Sequence, residues 1–269
     1  MNFVSMVPTA PLTGVVQQVW DWEAPSRADA LERLLPMPNA ALVINLSEDE
    51  SRVYDENHQC HRYLGAALDG PRNLSSIIDT REQVAVMGVV FRPGAAAGFF
   101  RERMDALVNR CVNLEDLAGS EAGYLRERLL EAGTASRRLR TLLNWLARRC
   151  STAHAIPTCV THALTALEHR PAMATLVSTA RELGVSSRSL GEQFRHHVGM
   201  TPKRYLRVQR FHRVVARASA ISERDWADIA LECGYFDQAH LSHEFREFCA
   251  MSPTEFARQG YWNRHIPLQ

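Results

Sequence analysis

At 269 residues the chain exceeds the usual size of one domain, so two are expected, and a 46% hydrophobic content is ample for packed cores. No run of about 18 apolar residues occurs, and the N-terminal MNFVSMVPTAPL lacks the basic start and apolar middle of a signal peptide, which predicts a soluble, cytoplasmic protein without a membrane partner. The formal charge of +1 is unevenly spread: residues 157–269 hold 14 Lys and Arg against 11 Asp and Glu, a net of +3, leaving −2 for the rest, a mild bias toward a polyanionic partner.

From residue 1 to about 118 the pattern is that of strands. Short runs such as Ala41 to Leu46 and Val84 to Phe91 are rich in Val and Ile and bounded by Pro, Gly, Asn and Asp. Gly70-Pro71 and Pro93-Gly94 mark turns. Together they predict a small antiparallel barrel or sandwich. Arg92-Pro93-Gly94 followed by AAAGFF predicts a turn leading into a helix. His58, Cys60 and His61 have residue types that bind transition metals, but no second ligand group follows at suitable spacing. The six cysteines, Cys60, Cys111, Cys150, Cys159, Cys233 and Cys249, form no CxxC pair, which argues against a zinc ribbon, a redox site or a disulfide scaffold. There is no nucleophile elbow, no Gly-rich phosphate loop and no HExxH. Neither an enzyme nor a resident metal or cofactor is expected. The alternative is a barrel enzyme or metal-dependent binding protein with accessory DNA binding, motivated by the His58, Cys60, His61 cluster.

Residues 119 to 156 change texture. Leu125, Leu129 and Leu130, then Leu139, Leu142, Leu143 and Leu146, recur at three- and four-residue steps, predicting two amphipathic helices separated at Gly133. Their apolar stripe suits either intramolecular core or the seam of a homodimer. The small, polar STAHAIPT segment after Cys150 is the expected linker.

Residues 157 to 269 contain one unit written twice, TLVSTARELGVSSRSLGEQFRHHVGMTPKRYL and WADIALECGYFDQAHLSHEFREFCAMSPTEFA. Ala180 matches Ala230 and Gly184 matches Gly234; after one inserted residue, Leu190 pairs with Leu241, Phe194 with Phe245, Met200 with Met251, Pro202 with Pro253 and Tyr205 with Phe256. In each copy a helix stops at Gly, where the left-handed conformation costs least, and restarts at a capping residue, Ser186 or Ser187 and then Asp237. Ser252 and Glu255 form a capping box. Leu and Phe four apart face inward on the second helix. The outward positions are Arg188, Gly191, Glu192 and Arg195 in the first copy, and Gln238, Ala239, Ser242, His243 and Arg246 in the second. Two helices joined by a short turn present the second to the DNA major groove, where Arg grips guanine and Gln grips adenine. Pro202 to about Ala218 predicts a connector of roughly 25 Å, which would hold the readers near one DNA turn apart. Its Arg204, Arg207, Arg210 and Arg213 are candidates for phosphate, solvent or interdomain contacts.

The string Ala230-x3-Gly234-Tyr-x-Asp237-Gln-x-His240-Leu-x3-Phe245-Arg-x4-Met251-Ser-Pro253-x2-Phe256 resembles the DNA-binding domain of AraC/XylS transcription regulators, over residues 172 to 259. The resemblance implies seven helices, double-stranded DNA as partner, contact with RNA polymerase, and base-reading sites at Arg188, Gly191, Glu192, Arg195, Gln238, Ala239, Ser242 and His243. Ala250 stands where the family usually has Gly, which should strain the cap or force another. Arg33-Leu-Leu-Pro36 and Gly88-Val-Val-Phe-Arg-Pro-Gly94 look like a subgroup of cupin-like sensor domains, implying a barrel with trailing helices and a small-molecule effector. The expected architecture is therefore multi-domain α+β: a cupin-like barrel at 1–118, helices and linker at 119–156, and an all-α AraC-type domain at 157–269.

Overall fold

The computed structural model describes residues 2–25, 31–55, 57–81, 83–169, 176–218, 226–259 and 265–268; the first residue of the first copy, at 175, lies outside them. The first sheet runs β1 (Asn2–Met6), β2 (Val16–Glu23), β9 (Ala85–Phe91), β4 (Ala41–Asn45), β7 (Ala66–Asp69), β10 (Cys111–Asn113), all neighbours antiparallel. The second runs β11 (His265–Pro267), β3 (Leu31–Leu34), β8 (Ser76–Asp79), β5 (Glu50–Tyr54), β6 (Cys60–Leu64). The β-rich N-terminal region expected from the apolar runs is thus present as two sheets, each ending on edge strands.

The apolar runs at Ala41 and Val84 are central strands of the first sheet, and their inward residues Leu42, Ile44, Met87, Val89 and Phe91 are fully or almost fully buried. Gly88 on β9 permits the pairing, since a Cβ there would come within 2.6 Å of both the Leu42 carbonyl and the Trp20 ring. The Arg92-Pro93-Gly94 turn does lead into a helix, α1 (Ala95–Phe100), whose six residues are all buried. After the short α2 (Leu114–Ala118), the two predicted amphipathic helices form α3 (Glu121–Glu131) and α4 (Ala135–Cys150), with Gly133 in a left-handed conformation between them. Their stripe is intramolecular: Leu125, Leu129, Leu139, Leu142 and Leu146 share one core with the strands, while Leu130 points to solvent. Burial of Leu-sized side chains contributes about 2 kcal/mol each.

Helix α4 is also tied to the first sheet by charge. Arg138 donates to Asp21 on β2 through Nε at 2.6 Å and a terminal nitrogen at 2.8 Å, and Asp21 is 1% exposed. The side-chain hydrogen bond with Asp21 raises the Arg138 pKa against the opposing effect of burial.

Among the described residues seven helices follow residue 157: α5 (Thr158–His169), α6 (Leu176–Glu182), α7 (Ser187–Val198), α8 (Pro202–Ala218), α9 (Trp226–Glu232), α10 (Gln238–Cys249) and α11 (Pro253–Gln259). Two features join them to the sheets. The STAHAIPT segment is packed down rather than loose: the His154 N–H donates to the Gly98 carbonyl at 3.1 Å, and a Cβ on Gly98 would meet the His154 carbonyl at 2.0 Å. The C-terminal region is not wholly helical either, since β11 pairs with β3 and His265 bonds Glu32 at 2.8 Å. The Arg33-Leu-Leu-Pro36 motif enters the same junction. Leu35 is buried in the C-terminal core, and the Pro36 carbonyl lies 2.6 Å from His212 Nε2 on α8.

An Arg138→Met substitution leaves the Asp21 carboxylate buried without its partner. It is expected to lower stability by about 3–5 kcal/mol in urea unfolding, and a loss below about 1 kcal/mol, the value of a surface pair, would show that the contact does not anchor α4.

Candidate nucleic-acid interface

The duplicated residues build two matching cores. Ala180 and Ala230, Leu190 and Leu241, Phe194 and Phe245, Tyr205 and Phe256 are each no more than 1% exposed. Gly184 and Gly234 end α6 and α9 at φ 66° and 84°. In the first copy the cap is Ser186, whose Oγ accepts from the Ser189 N–H at 3.1 Å; in the second, Asp237 accepts from the His240 N–H at 2.7 Å. Thr201 caps α8 by accepting from the Arg204 N–H, and the Ser252–Glu255 capping box is reciprocal, at 2.7 and 3.3 Å.

Helices α7 and α10 end differently. Gly199, after α7, sits at φ 87°, and a Cβ there would come within 2.9 Å of Pro71 and 3.0 Å of the Met104 carbonyl. Ala250, after α10, takes the left-handed conformation itself, at φ 59° and ψ 23°. The cap is therefore kept and strained rather than replaced, at a cost of about 1–2 kcal/mol.

On the outward side of α7, Arg188, Glu192 and Arg195 are exposed. Arg188 Nε donates to Glu192 Oε1 at 3.0 Å, so these two hold each other, while Arg195 has no ion pair among the described residues. Gly191 is half-buried beside α6, where a Cβ would touch Leu176 at 3.4 Å. On α10, Gln238, Ala239, His243 and Arg246 are exposed and Ser242 is half-buried. Phe236, 84% exposed just before the α10 cap, is an apolar addition to this surface that the hydrophobic pattern did not single out.

Of the connector arginines, Arg204, Arg207 and Arg210 are engaged within the protein, and Arg204 takes the interdomain contact that was one of the roles expected of them. Glu244 on α10 is 2% exposed and accepts from Arg207 Nε and from Arg210, both at 2.6 Å. Glu247 is bound by Arg204 and Arg207, and Arg204 also donates to the Asn73 carbonyl of the sheet domain at 2.7 Å. Arg204 and Arg207 further lie over the Phe248 ring, at 4.7 and 5.4 Å. These arginines fasten α10 to α8. Between the two units a groove of about 1050 Å³ is lined by Lys203, Arg207, Arg210 and Arg213 of α8 together with His240 and His243 of α10.

The first unit rests on the sheet domain. Helix α7 packs against α1 and the 3-10 turn at Met104–Ala106. Burial there holds the His197 imidazole below its ordinary pKa. The other early candidates lie elsewhere: Cys60 and His61 are on β6, His61 bonds Asp55 at 3.0 Å, and among the described residues no three His, Cys, Asp or Glu side chains group as metal ligands.

Two capped helices, each carried on a copy of one core and separated by a 17-residue connector, define a double helix-turn-helix DNA-binding domain. Residues 179–259 match the model of a helix-turn-helix domain, and residues 4–113 match that of a domain of unknown function, DUF6597. The chain is 37% identical over 84 residues to the HTH-type transcriptional activator RhaS of Enterobacter sp. (strain 638), and 32% over 84 residues to RhaS of Pectobacterium carotovorum. These alignments cover 31% of this chain and span 29% and 30% of the relatives' lengths. Among solved structures it is similar to ToxT of Vibrio cholerae O395, at TM-score 0.46 and 11% identity over 95% of this chain and 97% of that one. It is also similar to the DNA-binding domain of AdpA, crystallised with a target DNA, at TM-score 0.34 and 22% identity over 38% and 92%. The C-terminal domain is thus a helix-turn-helix domain of the AraC/XylS type.

Three outcomes test this geometry. Phe245→Ala is expected to cost about 3–5 kcal/mol as a core truncation, and an unchanged melting temperature would refute its inward placement. Ala250→Gly is expected to raise stability by about 1 kcal/mol by relieving the left-handed alanine; a loss would show that the cap is unstrained. The third concerns pH. Burial opposes ionisation of Glu247, but the Arg204 and Arg207 guanidiniums outweigh it and hold the carboxyl below its usual range. A lowered folded-state pKa gives stability that is present above the unfolded value, about 4.3, and is lost as pH falls through the lowered one. Glu247→Gln should therefore flatten the acid limb of a stability–pH profile, and an unaltered limb would contradict the pairing.

Proposed function

We propose that this chain is a cytoplasmic, non-enzymatic transcription regulator that binds double-stranded DNA through α7 and α10 and is controlled by a small molecule taken up by its N-terminal domain. The observation that carries the reading is the pair of exposed helices on duplicated cores: such repetition places two readers at a fixed separation, which suits successive major grooves of one site. Arg188, Glu192 and Arg195 of the first helix, and Gln238, Ser242, His243 and Arg246 of the second, supply the polar groups, while Gly191 and Ala239 leave room for apolar contact with thymine methyls. RNA polymerase is the partner expected of such a regulator, and a homodimer fits binding to repeated sites.

The first helix supplies most of the base discrimination, since it bears Arg188 and Arg195, and the second docks more through phosphate contacts and shape. Control from the N-terminal domain has a route, because α7 packs directly on α1 and on the Met104–Ala106 turn. A ligand that shifts α1 changes how α7 is held.

Arg188→Ala and His243→Ala should weaken binding to a selected cognate site by about 1–3 kcal/mol each, with little effect on random DNA or on melting. Equal losses on cognate and random DNA would remove both residues from base reading. Scrambling the two halves of the site separately should cost more on the half bound by α7; the reverse order would overturn the division of labour.

A further inference from the structure

The two helix-turn-helix units differ at the entrance to their second helix. In the first copy one residue, Val185, stands between the stop at Gly184 and the cap at Ser186. In the second, Tyr235 and Phe236 stand between Gly234 and the Asp237 cap. Backbone hydrogen bonds identify the extra one. The Val185 N–H donates to the Ala180 carbonyl at 3.0 Å, and the Tyr235 N–H donates to the carbonyl of the matching alanine, Ala230, at 2.8 Å. Tyr235 therefore takes the place of Val185, and Phe236 is the inserted residue.

The insertion adds nothing to the core. Tyr235 is 3% exposed, whereas Phe236 is 84% exposed, more than any other large apolar side chain among the described residues. Its backbone is nevertheless braced on both sides. Arg210 donates to the Gly234 carbonyl at 3.1 Å and lies 4.3 Å over the Tyr235 ring, which His240 meets edge-on at 5.2 Å. The Phe236 N–H donates to His240 Nδ1 at 3.4 Å, and the next residue caps α10. A bare aromatic ring is thus held in water on a braced turn, so its backbone has little freedom left to lose on contact.

Position and chemistry decide what the ring meets. The N-terminal end of a recognition helix is the part that approaches base edges, and Gln238, a candidate for adenine, is two residues further on. Phenylalanine has no hydrogen-bonding group to offer. The major groove presents one apolar group on its base edges, the C5 methyl of thymine.

We propose that Phe236 is a specificity-determining residue that reads a thymine methyl in the half of the site bound by α10. The insertion gives the second unit a point of sequence reading that its charges do not supply. This inference rests on the regulator reading.

A duplex selected for tight binding by the full chain tests it, with each thymine replaced singly by deoxyuridine, which lacks only the methyl. At least one replacement is expected to weaken the parent about fourfold, the value of one buried methyl-sized group. The same replacement should leave Phe236→Ala unaffected, that variant already binding the thymine duplex at least about fourfold more weakly. With cytosine at the same position, 5-methylcytosine should restore part of the affinity for the parent and none for Phe236→Ala. The ring is exposed, so the variant should melt as the parent does. Three results would overturn the proposal: no thymine sensitive to loss of its methyl, Phe236→Ala still sensitive at every such thymine, or equal losses on selected and random duplexes, which would assign the ring to the DNA backbone. A changed oligomeric state of Phe236→Ala with DNA binding intact would also overturn it, making the ring a subunit contact. A parent chain that binds no selected duplex refutes the regulator reading and this contact with it, whereas tight binding untouched by Phe236→Ala removes the contact alone.

Discussion

A buried carboxylate sets the orientation of α10. Glu244 lies on the inner side of α10 at 2% exposure, and an ionised side chain in that place is tolerable because Arg207 and Arg210 of the connector both reach it at 2.6 Å. Removing either side of such a buried pair costs far more than a surface ion pair gives. The cluster therefore acts as a rotational lock. With Glu244 turned to α8, Gln238, Ala239, Ser242, His243 and Arg246 are turned outward, and Glu247 adds a second point of attachment through Arg204 and Arg207. Arg204 extends the lock to the sheet domain through the Asn73 carbonyl.

The first unit is positioned by packing against a different neighbour. Its reading helix ends at Gly199, in a place so close to Pro71 and the Met104 carbonyl that no side chain fits, and its body rests on α1. One reader is thus held by charge to the connector and the other by steric contact to the N-terminal domain. The second copy accepts a strained alanine where the first has glycine because Ala250 is exposed and meets no such wall. Duplication supplied two copies of one core; their surroundings have made the ends unequal.

Much of this was legible in the chain itself. The Leu and Phe positions four apart, the stop glycines, the Ser186 and Asp237 caps and the Ser252–Glu255 box are local signals, set within a few residues, and all stand where the pattern puts them. Long-range pairings were not legible. Arg207 and Glu244 lie 37 residues apart and Arg138 and Asp21 117 apart, and each looks like an ordinary charge on an amphipathic helix or strand until the partner element is in place. The return of three residues, His265–Pro267, to the second sheet was equally hidden, since so short a strand has no periodicity to read. The short apolar runs left a barrel and a sandwich equally open, because strand patterning specifies burial on one face, not whether a ladder closes; the strands form two sheets.

The central claim is that both units engage one DNA site together, oriented by the Glu244 lock. Hydroxyl-radical footprinting of the purified chain on a DNA selected for tight binding tests it most directly. Two protected patches on one face, about 10 base pairs apart, are the predicted result, with Glu244→Ala keeping the patch of the first unit and losing that of the second. A single patch in the parent protein, or two patches unchanged by Glu244→Ala, would contradict the account.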